Sequence, residues 1–470
     1  MTPVLFLHDI GPDSVTLAAL AVHPSGERPG PLTTATQQVE PQELVKRGDR
    51  TAFRYVFTMP LAADTWYEVA GARYSVDTDY RADLRIAYVS CNGQEHEDTA
   101  REETERNIMW RRLGAQHDKR PFQLLLHGGD QIYADEVVSA HPASAGWPSD
   151  IAPTLSESER AALYDALREA FFTRYADQYA QEDFAQVAAR VPSIAMWDDH
   201  DICDGWGSLA PEILDSDVGV TLFAAARECF LLFQAATGPG DLPPLCNDRT
   251  GRSLSLSLTL PGVAILAPDL RSERRPDRIM DTVGWSTFKD ALGKVEGGHV
   301  LILSSVPALG PRLSLLERLI PFVPKLRKYE DDLRDQWQSL AHRDEWRAFL
   351  SALLALHEQD GIDVTVVSGE IHLATHATMA TASGDLHQLV ASGITHPAPP
   401  RVYARGLGAF AALGEAPLAG HPITIRGLPG HTRRYCAERN FLVLERREGR
   451  WSATWDLEES GRTPALSLSA

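Results

Sequence analysis

Residues 124–136 are LLLHGGDQIYADE, and this stretch predicts both the core of the fold and the place of its chemistry. Residues 123–126 form a short, mostly apolar run of the kind found in buried strands. Two glycines follow, and they let the backbone turn tightly and approach a neighbour closely. Asp130 and Tyr133 are three positions apart, so a helical turn would bring both oxygens to one side. Taken alone, the stretch is equally consistent with a metal-binding loop and with a helix capped by Asp130.

On both sides of this stretch, apolar strands alternate with amphipathic helices. A helix is predicted at 157–179 from apolar residues every four positions, with Ser156 and Glu159 as its capping box. A hairpin across Pro261 and Gly262 indicates that the sheet is not purely parallel. This order predicts a layered α/β core. The predicted strands of the core are 84–90, 123–127, 193–197, 254–260, 263–267, 299–304 and 363–368.

The predicted core spans residues 84–400 and is flanked by two regions of different character. Residues 1–80 contain short β-rich segments separated by Pro and Gly clusters, which predict a small β-sandwich-like domain. Residues 401–470 are predicted to be a C-terminal extension with two terminal strands, 440–444 and 451–455, that complete the core.

Composition excludes several classes of function. There are 45 Lys and Arg against 64 Asp and Glu, a net charge of −19, so non-specific binding to nucleic acid or to an anionic membrane is not expected. The five cysteines include no CxxC pair, which argues against a disulfide framework and a zinc finger. No signal peptide and no run long enough to span a bilayer is apparent. The expected location is therefore the cytoplasm, unless a leader has been removed.

Chemically active side chains follow five of the core strands. Turn residues such as Gly, Asn, Ser and Pro are the usual occupants of such positions, and ligands of α/β sheets bind beyond the carboxyl ends of the strands. We therefore expect these side chains to form one site. They are Cys91 and Asn92, Asp130 and Tyr133, Asp198 to Asp201, Asp269 and Arg271, and Glu370 and His372.

The residue types favour hard metal ions. Carboxylates with a few histidines suit two or more ions rather than one structural zinc. A bridging carboxylate can hold two ions about 3.5–4 Å apart, and such a pair activates a hydroxide for in-line displacement at phosphorus. As ligands, Tyr133 and Cys91 would bind a metal in their anionic forms, which would favour a trivalent ion such as Fe(III).

Five motifs, in this order, resemble those of the PhoD-type alkaline phosphatases and phosphodiesterases of the calcineurin-like metallophosphatase superfamily. They are VSCN at 89–92, HGGDQIYADE at 127–136, MWDDHDICDGWGS at 196–208, DLRS at 269–272 and SGEIH at 368–372. The resemblance covers roughly residues 84–400 and extends to the N-terminal β-region. It implies a two-sheet α/β/β/α sandwich with a small N-terminal β-domain. It also implies a metal-dependent phosphoesterase that hydrolyses a small phosphate ester by in-line attack of a metal-bound hydroxide.

The resemblance also implies a role for each matching residue. It implies Fe(3+) and Ca(2+), although Mn, Zn or Co would suit the same donors. His200 would orient the substrate or protonate the leaving group, Arg271 would bind the phosphate, and Asp130 would bridge the metals beside the hydroxide. The implied metal ligands are Cys91, Asp130, Tyr133, Asp199, Glu370 and His372, with Asn92, Asp198, Asp204 and Asp269 expected behind them.

Two departures from the family pattern leave other hypotheses open. Glu370 stands where the family usually has Asp, and Cys203 and Asp204 stand near a position where it often has Asn. The substrate preference of the family is therefore a poor guide to the substrate of this chain. One alternative is a non-catalytic metal-binding protein that recognises a phosphorylated or nucleotide partner, and another is a hydrolase of a different ester. Asp201 would either bind a metal or cap the next loop.

Overall fold

The computed structural model describes residues 2–94, 100–311 and 336–468, in which 24 strands form three sheets. The strands before residue 90 are β1 (Val4–Ile10), β2 (Ser14–Pro24), β3 (Leu32–Thr34), β4 (Gln38–Val39), β5 (Gln42–Arg47), β6 (Arg50–Pro60), β7 (Thr65–Val69), β8 (Ala72–Val76) and β9 (Leu84–Val89). The next six are β10 (Leu124–Gly128), β11 (Ser193–Met196), β12 (Leu256–Leu260), β13 (Val263–Ala267), β14 (Gly298–Ser304) and β15 (Ile362–Ser368). The last nine are β16 (Ala374–Thr381), β17 (Gly384–Val390), β18 (Glu415–Leu418), β19 (His421–Arg426), β20 (Tyr435–Cys436), β21 (Asn440–Arg447), β22 (Arg450–Leu457), β23 (Gly461–Arg462) and β24 (Leu466–Ser467).

The α-helices connect these strands and cover the two large sheets. The predicted helix at 157–179 is confirmed as α3, and its N-terminus carries the predicted capping box of Ser156 and Glu159. The helices are α1 (Glu103–Arg106), α2 (Ile108–Lys119), α3 (Glu157–Tyr179), α4 (Glu182–Ala188), α5 (Pro211–Leu214), α6 (Asp217–Ala235), α7 (Thr282–Leu292), α8 (Arg343–His357) and α9 (Arg401–Ala411).

The first large sheet has eleven strands in the order β23-β22-β21-β9-β10-β11-β1-β2-β6-β5, with β24 paired to β22. Its centre, β9-β10-β11-β1, is parallel. Both terminal regions of the chain join this sheet, because β1 and β2 pair on one side of the parallel centre and β21 pairs with β9 on the other.

This pairing corrects the expectation of a separate β-sandwich in residues 1–80. Strands β1, β2, β5 and β6 belong to the core sheet, and only β3, β4, β7 and β8 form a small sheet of their own. The boundary near residue 80 therefore falls within a hydrogen-bonded sheet. The sequence pattern predicts β-rich segments in residues 1–80, but it carries no information about which distant strand each segment pairs with.

The second large sheet has nine strands in the order β12-β13-β14-β15-β17-β16-β19-β18, with β20 paired to β16. Strands β13, β14, β15 and β17 are parallel, and β12 forms the predicted antiparallel hairpin with β13. Each large sheet therefore has a parallel centre with a carboxyl edge at which a site can form.

The two sheets pack face to face, with helices on both outer faces. Along β9, Leu84, Ile86 and Tyr88 lie in the layer between the sheets, whereas Ala87 and Val89 face the helices. Strands of the second sheet divide their side chains in the same way, as the alternation of side chains along a strand requires. The α/β/β/α sandwich predicted from the sequence is confirmed.

Helix α6 has the length and composition of a membrane span, with a mean hydropathy of 1.4, although the sequence analysis finds no such run. In the fold, 67% of the most apolar 18 residues of this helix is buried inside the protein. Its apolar surface is therefore used in the core, where it packs on α3 and on the first sheet.

Candidate metal centre

The candidate residues lie where the carboxyl ends of both parallel sets meet. In the first sheet, Cys91 follows β9, Asp130 follows β10 and Asp198 follows β11; in the second sheet, Glu370 follows β15. Hydrogen bonds between main chains join neighbouring loops, since Asn92 N–H donates to the carbonyl of Asp130 at 2.8 Å. The residues that follow strands far apart in the sequence therefore lie together at one edge.

Four of the candidate residues have a left-handed backbone. The φ angles are 51° at Cys91, 54° at Asp130, 64° at Glu370 and 51° at His372. A non-glycine residue in this region costs free energy and persists only where the surrounding structure imposes it, which is often at a functional site. The clustering of four such residues at one edge of the sheets supports this edge as the candidate functional site.

Two glycines let the loops approach each other. Gly129 has a φ of +104°, and a Cβ added there would lie 2.6 Å from the Cβ of Asp198. A Cβ at Gly369 would collide with the hydroxyl of Ser90. Any side chain at these positions would push apart the loops that carry the candidate ligands.

The first group of donors combines a thiol, a carboxylate, an imidazole and a phenol. Donor atoms of Cys91, Asp130 and His372 all lie within 4.8 Å of one another, and the Cys91 thiol donates to Asp130 Oδ2 at 3.4 Å. The Tyr133 hydroxyl lies 2.7 Å from His372 Nε2. Ser392 Oγ, 3.0 Å from the thiol, completes the surroundings of this group.

Two further groups extend the cluster of donors. Carboxylate oxygens of Asp130, Asp198 and Asp199 lie within 4.8 Å of one another, and so do donor atoms of Asp199, His200 and Asp204. Asp130 belongs to two of the groups and Asp199 to two, so the three form a continuous set. Asp198 and Asp204, expected behind the ligands, thus have donor atoms as close together as those of the expected ligands.

The buried donor atoms have the chemistry that bound cations require. Asp130 Oδ1 is buried and has no hydrogen-bond partner among the described residues, and its side chain belongs to two groups of donors. An unpaired carboxylate oxygen is costly to bury unless an ion compensates it. The position of Asp130 and the mixture of thiol, phenol, imidazole and carboxylate donors fit more than one ion.

Burial disfavours the anionic forms of the donor groups unless a positive charge lies nearby. It raises the pKa of Asp130, to which the nearby Cys91 contributes, and it raises the pKa values of Cys91 and Tyr133. Burial also lowers the pKa of His372. The neutral imidazole is the form that binds a metal, and bound cations would favour the anionic forms of the acidic groups.

His200 is held by Asp135, a residue that the sequence analysis did not single out. His200 Nδ1 lies 2.9 Å from Asp135 Oδ2. Burial acts to lower the pKa of His200, but the nearby carboxylates of Asp135 and Asp199 raise it overall. The His200 ring also stacks on Tyr133, with ring centroids 4.1 Å apart. The partner of His200 comes from the loop after β10, and it could have been sought in the acidic end of the YADE stretch.

Arg271, which is expected to bind the phosphate, lies buried beside the loop after β11. Its side chain is fully buried, with 0% exposed, and its Nε donates to Asp198 Oδ1. Its Nη2 lies 3.3 Å from Asp199 Oδ1 and its Nη1 donates to the carbonyl of Trp206. These contacts hold the guanidinium against two aspartates of the loop after β11, and Arg271 is not among the residues that line the cleft.

Glu370, an expected metal ligand, lies beside the donor groups without belonging to them. Its carboxylate belongs to none of the three groups of donor atoms found among the described residues. Gln336 Nε2 donates to Glu370 Oε2 at 2.7 Å, and both residues line the cleft.

Other candidate residues have structural contacts. Asp269 accepts hydrogen bonds from the Trp197 indole and from the main chain at Leu254, so it closes a turn. Asn92 accepts from Trp110 at 2.9 Å, behind Cys91. Neither residue belongs to the three groups of donor atoms found among the described residues.

Asp201 caps loops instead of facing the cleft. Its carboxylate accepts four main-chain N–H groups, those of Asp130, Gln131, Ile132 and Asp198. Burial raises its pKa to about 7, although these N–H groups act in the opposite direction. The capping alternative for Asp201 is therefore the one that the structure shows.

The donor groups open onto a cleft of about 740 Å³. Asp130, Asp199, His200 and His372 line one side of it. His396, outside the expected ligand set, stacks on His372 with ring centroids 3.7 Å apart and on Tyr133 at 5.0 Å. The cleft has the size of sites that enclose small organic ligands.

Comparisons with known proteins agree with this geometry. A sequence model of the family described as PhoD related phosphatase matches residues 49–329. An uncharacterized protein of Saccharomyces cerevisiae is 24% identical over an alignment of 406 positions that covers 71% of this chain and 57% of that protein, so the chain spans little more than half of that relative. The solved structure of PhoD matches 99% of this chain and 89% of its own with a TM-score of 0.58 at 12% identity, which shows a shared fold alone.

Proposed function

Since the chain belongs to the PhoD related phosphatase family, we propose that it is a metal-dependent phosphoesterase that hydrolyses a small phosphate ester in the cleft. The observation that carries the proposal is the convergence of Cys91, Asp130 and His372 within 4.8 Å, with Tyr133 hydrogen-bonded to His372. A thiol, a phenol and a buried carboxylate have little structural reason to share one pocket unless a cation joins them.

The donor types support a specific assignment of metals. Cys91 and Tyr133 would hold Fe(3+) together with His372, because thiolate and phenolate are anionic donors that a trivalent ion stabilises. Asp199 and Asp204 would hold a second ion, Ca(2+) or another divalent metal, since oxygen donors suit hard divalent cations. Asp130 lies in both neighbourhoods and would bridge them.

The residues of the chain have separate parts in the reaction. Bound ions would supply an activated water and positive charge at the phosphoryl oxygens, which is the usual contribution of paired metals to in-line displacement. His200 lines the cleft, and Asp135 fixes its Nδ1 side, so His200 would donate a proton to the leaving oxygen from its other nitrogen. Arg271 would keep Asp198 and Asp199 in place.

Hydrolysis of a nitrophenyl phosphodiester and of a nitrophenyl monoester tests the proposal. Release of nitrophenolate should disappear on chelation and in Asp130→Ala, because that substitution removes the carboxylate shared by two donor groups. Asp49→Ala is the matched control, since the Asp49 side chain is 98% exposed and its loss should leave turnover unchanged. Full activity in Asp130→Ala would overturn the mechanism. Bound metal without turnover of either ester would support the alternative of a non-catalytic metal-binding protein.

Metal analysis tests the assignment of the ions. Protein purified without chelators should contain iron and absorb visible light, because an iron-bound tyrosinate is coloured. Tyr133→Phe should lose this absorption and retain the fold. Iron-free protein that is active with divalent ions alone would contradict the Fe(3+) assignment while leaving the hydrolase proposal in place.

A further inference from the structure

The cleft has two walls of different chemistry. The donor groups form one wall, and apolar side chains from helix α9 and the second sheet form the other. The main apolar lining residues are Leu309, Ile371, Tyr403, Leu407, Phe410 and Tyr435. A group attached to a phosphate held at the first wall would therefore lie against an apolar surface.

Helix α9 forms this wall because of its sequence pattern. Ala404 and Ala411 are buried and pack against the second sheet, with Gly408 buried between them. Tyr403, Leu407 and Phe410 occupy positions i, i+4 and i+7 and share another face of the helix, which borders the cleft. The helix thus uses small residues to attach itself and large apolar ones to shape the cleft.

The charges around the cleft disfavour an anionic substituent. Among the described residues that line it, none is lysine or arginine, whereas Asp130, Asp199, Asp204 and Glu370 are acidic. Bound cations would offset these carboxylates near the reacting phosphate, but the described residues of the apolar wall include no lysine or arginine that could pair with a second phosphate. A polyanionic ester would lose hydration there without compensation.

Resting on the proposed function, we infer that the substrate is a phosphate ester whose second substituent is uncharged and apolar, an alkyl or aryl group bound against the wall of α9. An apolar group of about six carbons fits within the volume of the cleft. Its burial would stabilise the bound ester by an amount that grows with the buried area.

A series of alkyl nitrophenyl phosphodiesters, from methyl to hexyl, tests the inference at concentrations where the esters stay monomeric. The value of kcat/KM should rise with chain length, by up to about fourfold for each methylene that the wall buries. Hexylphosphonate should also inhibit, and bind in calorimetry, more tightly than methylphosphonate. A nitrophenyl ester carrying a second phosphate should be hydrolysed less efficiently than the hexyl ester.

Variants of the wall locate the effect. Tyr403→Ser and Phe410→Ser should reduce the ratio of hexyl to methyl kcat/KM, and Tyr403 is 42% exposed, so its replacement leaves the core intact. Leu413→Ser is the matched control, because Leu413 is 66% exposed beyond the end of α9 and does not line the cleft. This variant should keep the ratio of the parent.

The outcomes separate the two proposals. Nitrophenolate release that does not depend on chain length, or that favours the doubly phosphorylated ester, would overturn the inference and leave the proposed function standing. Failure of the metal-loaded protein to hydrolyse any ester, methyl included, would overturn the proposed function. Loss of the chain-length effect in Leu413→Ser as well as in Tyr403→Ser would also overturn the placement of the apolar group at the wall.

Discussion

Replacing Asp201 by Asn should loosen the two loops that carry most of the donor groups. One oxygen of the Asp201 carboxylate accepts the N–H groups of Asp130 at 2.9 Å and Asp198 at 3.0 Å. The other accepts those of Gln131 at 3.0 Å and Ile132 at 3.3 Å. The carboxylate therefore ties the loop after β10 to the loop after β11.

The magnitude follows from the geometry. Asn has a single carbonyl oxygen, so one pair of these main-chain N–H groups would face an NH₂ group that is itself a donor. A buried donor left without a partner costs about 1–3 kcal/mol. Two such donors give an expected loss of roughly 2–6 kcal/mol in the free energy of unfolding, with a matching loss of metal affinity because Asp130 would no longer be held.

Urea unfolding, followed by the fluorescence of the ten tryptophans, measures the first effect, and the metal content after dialysis measures the second. Asp177→Asn serves as the control, because its carboxylate is 59% exposed and pairs with Arg50 at the surface, where such pairs contribute about 0–1 kcal/mol. The reasoning would be refuted if Asp201→Asn were no less stable than Asp177→Asn and bound as much metal.

Three further predictions concern the activity, the acid stability and the metals. Asp135→Ala should lower turnover by about 10–100-fold, because His200 loses the carboxylate 2.9 Å from its Nδ1; a normal kcat would contradict this. Burial lowers the pKa of His117 to about 4 and those of His299 and His376 to about 3. Because the unfolded chain binds protons first below its His pKa near 6.5, the Tm should fall as the pH is lowered from about 6.5 to 4, although Asp201, with a pKa raised to about 7, acts in the opposite direction. A Tm that rose over this interval would refute a dominant contribution from neutral histidines. Chelation should also lower the Tm, since ions that bind only the folded chain at about 100 times their Kd stabilise it by about 2.7 kcal/mol; an unchanged Tm would argue against a bound metal.

The parallel core was accessible to sequence reasoning because its strands are short apolar runs bounded by turn residues. The runs predicted at 193–197 and 363–368 correspond to Ser193–Met196 and Ile362–Ser368. The place of β1 between β11 and β2 was not accessible. Pairing of strands nearly two hundred residues apart depends on how the sheet assembles, and a local pattern does not encode it.

The candidate site divides in the same way. Cys91, Asp130 and His372 could be placed together from sequence, since each follows a strand and the carboxyl ends of parallel strands meet at one edge. The bond between Asp135 and His200, 65 residues apart, could not. The burial of Arg271 against Asp198 could not be predicted either, because an ion pair forms only after packing sets the distance between the partners.

The sequence by itself determined which segments become buried strands and which reactive side chains stand at their ends, because hydrophobic period and turn chemistry act over a few residues. Only the tertiary structure decided that Arg271 supports aspartates, that Glu370 pairs with Gln336 and that α9 supplies the apolar wall. These outcomes depend on distances between segments far apart in the chain, and such distances exist only once the two sheets have packed together.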